Sequence, residues 1–299
     1  MNEKYTIISY YKFTRIKNIF KYKNFLSKLI KALDVKGIIL LAPEGINVSI
    51  SLLSEQKKSF IDQLNNLFNI QNEDIKISYA NKHIFRKMKI KIKTEILTTR
   101  LSKDIMVENM VGKYIKPEDW DNFINSNDVI LIDTRNNYEV EVGSFKRSIN
   151  PECNNFTDIL KWIDKNIINK NEIKKKKIAM YCTGGIRCEK ATSYIRKKGI
   201  NEIYHLEGGI LKYLEKNIEN NSWNGECFVF DNRVSVNKHL KKGSYNLCFA
   251  CRMPLSKSDM KNKSYLKGVS CPKCHGKKTI TQLNKYKTRH NQFLKRGIK

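Results

Sequence analysis

The chain has 299 residues and carries 57 lysines and arginines against 29 aspartates and glutamates, a formal net charge of +28. Its length suits two or three modest domains, and 40% hydrophobic residues with 10% aromatics exclude a disordered chain despite the charge. No apolar run reaches the roughly 18 residues of a spanning helix, and the lysine-interrupted N-terminus lacks the core of a signal peptide. We therefore expect a cytoplasmic protein without a membrane partner.

The first block, residues 1–95, is predicted to be an α+β domain. Strand-like runs at 5–11, 36–42, 46–51, 75–80 and 88–93 surround helical patterns at 25–33 and 54–68. Ser54 is a candidate cap for the second helix. The order βαββαβ resembles a ferredoxin-like fold.

The last of these strands is predicted to present a basic face. Met88, Ile90 and Ile92 alternate with four lysines, so the two sets point to opposite sides of the sheet. The four are Lys87, Lys89, Lys91 and Lys93. They either form a solvated surface or contact backbone phosphates.

The middle of the chain is predicted to be a linker, 96–124, followed by an α/β domain, 125–219. A short helix begins near Pro117 within the linker. Beyond it, strand and helix patterns alternate with short connections, which is typical of a parallel sheet covered on both faces.

Cys182 is the predicted nucleophile, because it follows an apolar strand and precedes a helix. Gly184 and Gly185 let backbone N–H groups turn inward as an anion-binding nest, and the helix dipole adds positive potential, so the cysteine should ionise readily. Arg187 is expected to clamp the backbone or a bound anion. The alternative is a buried structural cysteine. The whole loop consists of Cys182, Thr183, Gly184, Gly185, Ile186, Arg187 and Cys188.

Other residues near this loop receive supporting roles. Cys188 is expected to pack, with disulfide exchange with Cys182 as the alternative. Asp133 and Arg135 are predicted to brace the loop as an ion pair, and His205 is predicted to be a core histidine. Cys153 fits no pattern.

The third block, residues 220–299, contains two cysteine pairs that predict a structural zinc site. Cys248-x2-Cys251 and Cys271-x2-Cys274 have the spacing of two zinc knuckles, and metal binding could supply the folding energy of a segment with few apolar residues. His275 and Cys227 are alternative ligands for one position. The other interpretations are two pairs of reduced thiols or disulfides. Disulfides are disfavoured in the cytoplasm.

The positive charge is uneven along the chain. Counted in three parts, it is +10 over residues 1–120, +2 over 121–226 and +16 over 227–299. Compositional drift toward lysine would spread the excess evenly, whereas a polyanionic partner such as nucleic acid explains two basic flanks; a solvated lysine-rich surface is the alternative.

The Cys-x4-Arg spacing resembles the active-site loop of the rhodanese domain. Cysteine-dependent phosphatases have a similar loop, but theirs is one residue longer. Residues 131–151 (LIDTRNNYEVEVGSFKRSINP) resemble another rhodanese pattern, with Ser148 in place of the usual alanine, and LEGGI at 206–210 resembles its closing turn. With LAPEGIN at 41–47 and GECFVFDNRVSVN at 225–237, nearly the full chain resembles the rhodanese-domain tRNA uridine hydroxylases.

This resemblance implies oxygen-dependent conversion of the wobble uridine to 5-hydroxyuridine, with Cys182 required and the tRNA anticodon region as partner. Molecular oxygen is then the co-substrate, with an electron donor that the sequence does not identify. No GxGxxG motif follows a strand, so no nucleotide cofactor is predicted. Phe85, Phe228 and Phe230 are either base-stacking or core residues. The competing hypotheses are a sulfurtransferase carrying a persulfide on Cys182 and a non-catalytic RNA-binding or zinc-scaffold protein.

Overall fold

The computed structural model describes residues 4–70, 74–100, 107, 110–170, 173, 176–216, 219 and 221–295. Within these ranges, no helix has the combination of length and apolar character that crossing a bilayer requires. Part of the predicted linker, residues 101–106 and 108–109, lies outside the described ranges.

The N-terminal domain is a five-stranded sheet covered by two helices. Its elements are β1 (Tyr5–Phe13), α1 (Ile19–Ala32), β2 (Val35–Ala42), β3 (Gly45–Leu53), α2 (Lys57–Phe68), β4 (Lys76–Ala80) and β5 (Met88–Ile92). The strand order is β4-β1-β3-β2-β5, and only the β2–β5 pair in it is parallel. The first four strands thus have the ferredoxin-like arrangement, with β5 added at the edge of β2.

Both helices bury one face against the sheet. Leu26 of α1 and Phe60 and Leu64 of α2 are fully buried among strand residues such as Ile8 and Ile39. Ser54 begins a short 3-10 turn, Ser54–Gln56, so it is not the cap of α2 that we predicted; its hydroxyl instead accepts a hydrogen bond from Thr6 (3.1 Å).

Strand β5 has the predicted alternation. Met88 and Ile90 pack against the core of the domain, whereas all four lysines of the stripe are exposed. The predicted basic sheet face is therefore confirmed as a surface, and its contact with phosphates stays a prediction.

The second domain is built on a four-stranded parallel sheet in the order β6-β10-β9-β7. Its elements are β6 (Lys113–Ile115), α3 (Pro117–Ile124), β7 (Val129–Asp133), α4 (Asn137–Val140), β8 (Gly143–Phe145), α5 (Phe156–Ile163), β9 (Lys177–Tyr181), α6 (Ile186–Lys197), β10 (Ile203–Leu206) and α7 (Gly209–Glu215). One π turn, Asp164–Ile168, extends α5. Two apolar clusters pack on this sheet, as expected for a sheet covered on both faces.

The C-terminal segment consists of short strands and two helices. They are β11 (Trp223–Gly225), β12 (Cys227–Phe228), β13 (Ser235–Val236), β14 (Asn246–Leu247), β15 (Pro254–Leu255), α8 (Lys257–Lys261) and α9 (Ile280–Lys295). A small cluster around Leu255 and the paired cysteines forms its centre. The predicted fold class is confirmed: an α+β domain, then an α/β domain with a parallel sheet, then a C-terminal segment with clustered cysteines.

The boundaries of the second domain extend beyond the predicted 125–219. Strand β6 pairs with β10, and Trp120 of α3 is fully buried in the core, so residues 113–124 belong to the sheet domain and not to a linker. On the other side, β11 pairs with β8, and Cys227 and Val236 are buried in the same core. Periodicity could not reveal either extension, because each segment is too short to show a pattern.

Candidate active site

The predicted loop lies at the carboxyl end of β9, between Tyr181 and the start of α6. Gly185 has φ +100°, and a Cβ there would lie 2.6 Å from the hydroxyl of Tyr11, which comes from the N-terminal domain. The positive φ therefore favours glycine at this position, and a larger residue would also have to shift the Tyr11 side chain. Gly184 differs from the prediction, because a Cβ at that position would meet open space.

A second glycine allows close approach of the backbone to the loop. Gly209, in the LEGGI turn, has φ +70°, and a Cβ there would lie 2.6 Å from the Cys182 carbonyl oxygen and 2.8 Å from the Gly184 nitrogen. The N–H groups of Ile210 and Leu211 donate to the carbonyl oxygens of Cys182 and Thr183, each at 3.0 Å. Helix α7 thus holds these loop carbonyls, which leaves loop N–H groups free to face the sulfur.

Cys182 is the residue on which these N–H groups converge. The Gly185 N–H donates to its Sγ (3.1 Å). Burial raises the pKa of Cys182, but the Cys188 thiol, the charge of Arg187 and the backbone N–H groups of Cys188 and Arg187 together lower it to about 5. The side chain is fully buried. Cys182 is therefore a shielded thiolate at neutral pH.

Cys188 serves as a neutral hydrogen-bond donor to that thiolate. Burial raises its pKa well above the usual range, and the adjacent Cys182 raises it further. Its sulfur also lies 3.4 Å from the Thr134 hydroxyl, and the side chain is packed in the core. These contacts support the packing role that we favoured over disulfide exchange.

Arg187 is held by a carboxylate that the sequence analysis did not single out. Its guanidinium forms two hydrogen bonds with Glu139, at 2.6 and 2.8 Å, and one with the Thr183 hydroxyl at 3.2 Å. Glu139 is fully buried, and the charge of Arg187 lowers the pKa of Cys182; the expected contact of Arg187 with the backbone or a bound anion stays a prediction. Glu139 stands in the rhodanese-like segment, which was the signal that could have identified it.

Asp133 and Arg135 form the predicted ion pair behind the loop. The closest distance is 2.6 Å between Arg135 Nη2 and Asp133 Oδ2, and both side chains are fully buried. Arg135 also donates to the carbonyl oxygens of Glu139 (3.3 Å) and Gly143 (2.6 Å). The pair therefore fixes the segment that carries Glu139, and its effect on the loop is indirect.

A cavity of about 810 Å³ lies between the two domains beside this loop. Tyr11 and Tyr114 line it and donate hydrogen bonds to Glu189 Oε1, at 2.7 and 3.1 Å. Lys76 lies 4.9 Å from the centroid of the Tyr11 ring. Burial raises the pKa of Glu189 and lowers that of Lys76, so titratable groups with perturbed pKa values surround the cavity. None of these residues belongs to a motif that predicted a site.

Lys190 fastens helix α6 to the N-terminal domain. Its fully buried Nζ contacts Glu44 Oε1 (2.9 Å), Glu95 Oε1 (3.2 Å) and the Leu97 carbonyl oxygen (2.8 Å). Glu44 belongs to the LAPEGIN segment, so the structure gives that motif a role in docking the two domains around the loop.

His205 and Ser148 have structural surroundings. Burial lowers the pKa of His205 to about 4, and its ring packs edge-on against Tyr114, consistent with a neutral core histidine. Ser148 donates to the Phe145 carbonyl oxygen (2.9 Å) and accepts a hydrogen bond from Tyr181 (2.8 Å). Of the candidate stacking residues, Phe228 is buried, whereas Phe230 is 64% exposed.

The four predicted metal ligands lie together. The sulfurs of Cys248, Cys251, Cys271 and Cys274 are all within 4.8 Å of one another. The Cys251–Cys271 and Cys271–Cys274 sulfur distances are 3.6 and 3.7 Å. A tetrahedral ion with bonds of about 2.3 Å to sulfur has edges of about 3.8 Å, so the cluster fits a metal such as zinc. Cys227 is buried in the sheet domain and is not part of this group.

Two family models match the chain. The one described as a UPF0176 acylphosphatase like domain covers residues 5–96, and the one described as a rhodanese-like domain covers residues 116–216. The chain is thus a rhodanese-type protein, in which an acylphosphatase-like domain comes first and the rhodanese-like domain follows it. The two matches, in this order along the chain, agree with the rhodanese-domain family that its motifs had suggested.

Solved structures that are similar to this chain match parts of it. A possible tyrosine phosphatase of unknown function from Rhodopseudomonas palustris is 23% identical, covering 40% of this chain and 96% of its own, with a TM-score of 0.32. A rhodanese-related protein from Thermoplasma volcanium is 26% identical over 35% of this chain and 92% of its own, with a TM-score of 0.27. A rhodanese-like domain protein from Staphylococcus aureus is 24% identical over 34% of this chain and 90% of its own, with a TM-score of 0.28.

Proposed function

We propose that this protein is a tRNA modification enzyme that uses molecular oxygen to hydroxylate the wobble uridine at C5, with Cys182 as nucleophile. The observation that carries the proposal is an ionised, buried cysteine whose loop lies under Tyr11, a residue that lines a cavity to which both domains contribute. A sulfur carrier needs only the loop, whereas a base-modifying enzyme also needs a pocket for the base.

The cavity suits a flipped-out pyrimidine nucleotide. Tyr11, Phe13 and Tyr114 line it and offer ring faces on which a base can stack. Lys12 and Arg15 lie on the same wall and can attract the adjoining phosphates. Because the Tyr11 hydroxyl covers Gly185, the entering base has to displace that side chain to reach the sulfur.

In the proposed reaction, the Cys182 thiolate adds to C6 of the uracil and leaves an electron pair at C5. Dioxygen takes up that pair, one oxygen atom stays on C5, and an external two-electron donor reduces the other atom to water with two protons. Loss of the C5 proton then expels the thiolate and restores the ring. A nucleophile that is already ionised at neutral pH needs no separate base for the first step.

The test is nucleoside mass spectrometry of tRNA from cells that contain the wild-type protein, the Cys182→Ser variant or no protein. We expect 5-hydroxyuridine and its derivatives only with the wild-type protein. The Cys188→Ser variant serves as a control for general damage to the loop and should retain product. Unchanged hydroxylation in the Cys182→Ser strain would refute the assigned role of the cysteine.

A second candidate function is sulfur transfer through a persulfide on Cys182. The three backbone N–H groups that face the sulfur would also stabilise the negative charge of a terminal persulfide sulfur. The same mass spectrometry distinguishes the two functions, because a sulfurtransferase requires that thiolated uridine, and not 5-hydroxyuridine, be lost when the protein is absent.

We also propose that zinc occupies the four-cysteine cluster in a structural role. Four thiolates complete a tetrahedral shell and leave no open position for substrate, so zinc would supply folding energy to the segment. Protein purified without chelators should contain about one zinc per chain. A markedly lower content would contradict this assignment.

A further inference from the structure

Three of the eleven arginines converge on one phenylalanine of the C-terminal segment. The guanidinium carbons of Arg86 and Arg252 both lie 5.8 Å from the centroid of the Phe249 ring, and Arg289 donates a hydrogen bond to the Phe249 carbonyl oxygen. Arg86 precedes β5 in the N-terminal domain, Arg252 follows Cys251 in the cysteine cluster, and Arg289 lies in α9. We call this group the arginine cluster.

Further aromatic rings hold two of these guanidinium groups. The Arg86 guanidinium lies 4.7 Å from the centroid of Phe293, and that of Arg289 lies 5.0 Å from the centroid of Tyr286. Cation–π contacts of this kind fix the plane of a guanidinium group while its N–H edges remain available for hydrogen bonds.

The arginine cluster has no carboxylate partner among the described residues. Within the same residues, other arginines such as Arg135 and Arg187 each have a carboxylate oxygen at 2.6 Å. Like charges brought together repel one another, and aromatic rings compensate for only a part of that repulsion. An anion bound between the three groups would remove the remainder.

We propose that the arginine cluster binds a backbone phosphate of the tRNA, an inference that rests on the proposed function. Guanidinium groups match phosphate oxygens with paired hydrogen bonds. RNA is favoured over an acidic protein because the segment after residue 226 has 18 basic and 2 acidic residues, which suits a partner with many phosphates. The cluster joins the two basic flanks, which are distant in sequence, at one position on the surface.

The test measures binding of an unmodified tRNA transcript to the full-length, zinc-loaded protein by fluorescence anisotropy, at salt concentrations from about 50 to 300 mM. The variant Arg86→Gln/Arg252→Gln/Arg289→Gln removes the cluster. The control Lys146→Gln/Lys165→Gln/Lys170→Gln removes the same charge from exposed positions of the rhodanese domain. An Arg-to-Lys triple variant keeps the charge of the cluster but loses the paired hydrogen-bond donors of the guanidinium groups.

We expect the cluster variant to bind tRNA about tenfold or more weakly, with the slope of log affinity against log salt reduced by about 1 for each phosphate that is no longer neutralised. The control should retain its slope, and the Arg-to-Lys variant should retain the slope with lower affinity. Wild-type binding by the cluster variant, or an equal reduction in the control, would overturn the proposal. So would a loss of polyglutamate binding without loss of tRNA binding, which would assign the cluster to an acidic protein partner.

Two further measurements keep the outcome interpretable. If the triple variant does not fold, the single Arg86→Gln variant decides, because Arg86 is exposed and lies outside the cysteine cluster. The second measurement is nucleoside mass spectrometry of tRNA from cells that contain the wild-type protein. Cluster-dependent tRNA binding without any hydroxylated product would therefore reject the proposed function and leave this inference in place.

Discussion

Replacing Lys190 by methionine removes the cation that fastens helix α6 to the N-terminal domain. The change leaves Glu44 and Glu95 facing each other at the domain interface, where 15% and 22% of their side chains are exposed, and it removes a hydrogen bond to the Leu97 carbonyl oxygen. Breaking a buried ion pair by removing one partner costs about 3–5 kcal/mol. Because both carboxylates reach water, we expect the lower end, about 3 kcal/mol.

The matched control is Lys113→Met. Lys113 pairs with Glu202 at a similar distance, 3.0 Å, but the two side chains are 56% and 48% exposed. Ion pairs in contact with water contribute less than about 1 kcal/mol, so this variant should be close to the wild type. The two variants remove the same charge and differ mainly in burial.

The assay is urea unfolding followed by circular dichroism and by tryptophan fluorescence. Trp120, Trp162 and Trp223 are the three tryptophans of the chain and lie in or against the rhodanese domain, so fluorescence reports that domain while circular dichroism reports both. Coincident transitions in the wild type would show that the domains unfold together. A free-energy loss in Lys190→Met no larger than in Lys113→Met would refute the argument that this contact docks the domains.

The remaining predictions concern the loop and the metal. The ultraviolet absorbance of the thiolate should titrate with a midpoint near pH 5, because the pKa of Cys182 is lowered: the sulfur is ionised above that pH and protonated below it. The midpoint should rise in Cys188→Ala, which lacks the thiol donor, and a Cys182→Ser protein with the same titration would contradict the assignment. Gly185→Ala and Gly209→Ala should each lower the melting temperature by about 4–8 °C, for a cost of about 2 kcal/mol, since both positions have positive φ and close neighbours. Gly184→Ala, with open space around it, should change it little, and equal effects at all three positions would contradict the geometry. Removing zinc with a chelator should weaken tRNA binding and leave the Cys182 titration unchanged; a shifted titration would show that the segment supports the loop.

The sequence predicted those parts of the site that are local in the chain. The strand, the glycines and the cysteine of the loop follow one another, so periodicity and spacing identify them. The partners of the loop are distant: Tyr11 and Glu189 are 178 residues apart, and Lys190 and Glu44 are 146 apart. Which polar residues meet across two domains depends on how the domains pack, and no spacing rule encodes that.

The same limit explains the domain boundaries and the role of Arg187. Strand β6 has three residues and gains its place only by pairing with β10, so its sequence alone resembled a linker. The ion pair of Arg187 with Glu139 was not predicted, because that buried carboxylate comes from another segment, 48 residues earlier in the chain.

The complete burial of Cys182 also bears on how the resting protein survives the oxidant that its proposed reaction requires. Thiolates are the cysteine form that peroxides attack, first to sulfenic acid and then irreversibly to higher acids. In this structure Tyr11, from the other domain, lies over the loop, and none of the Cys182 surface is exposed. If the proposed reaction is correct, we expect the nucleophile to be uncovered when the uridine displaces Tyr11, which would confine its reactivity toward oxygen species to that moment.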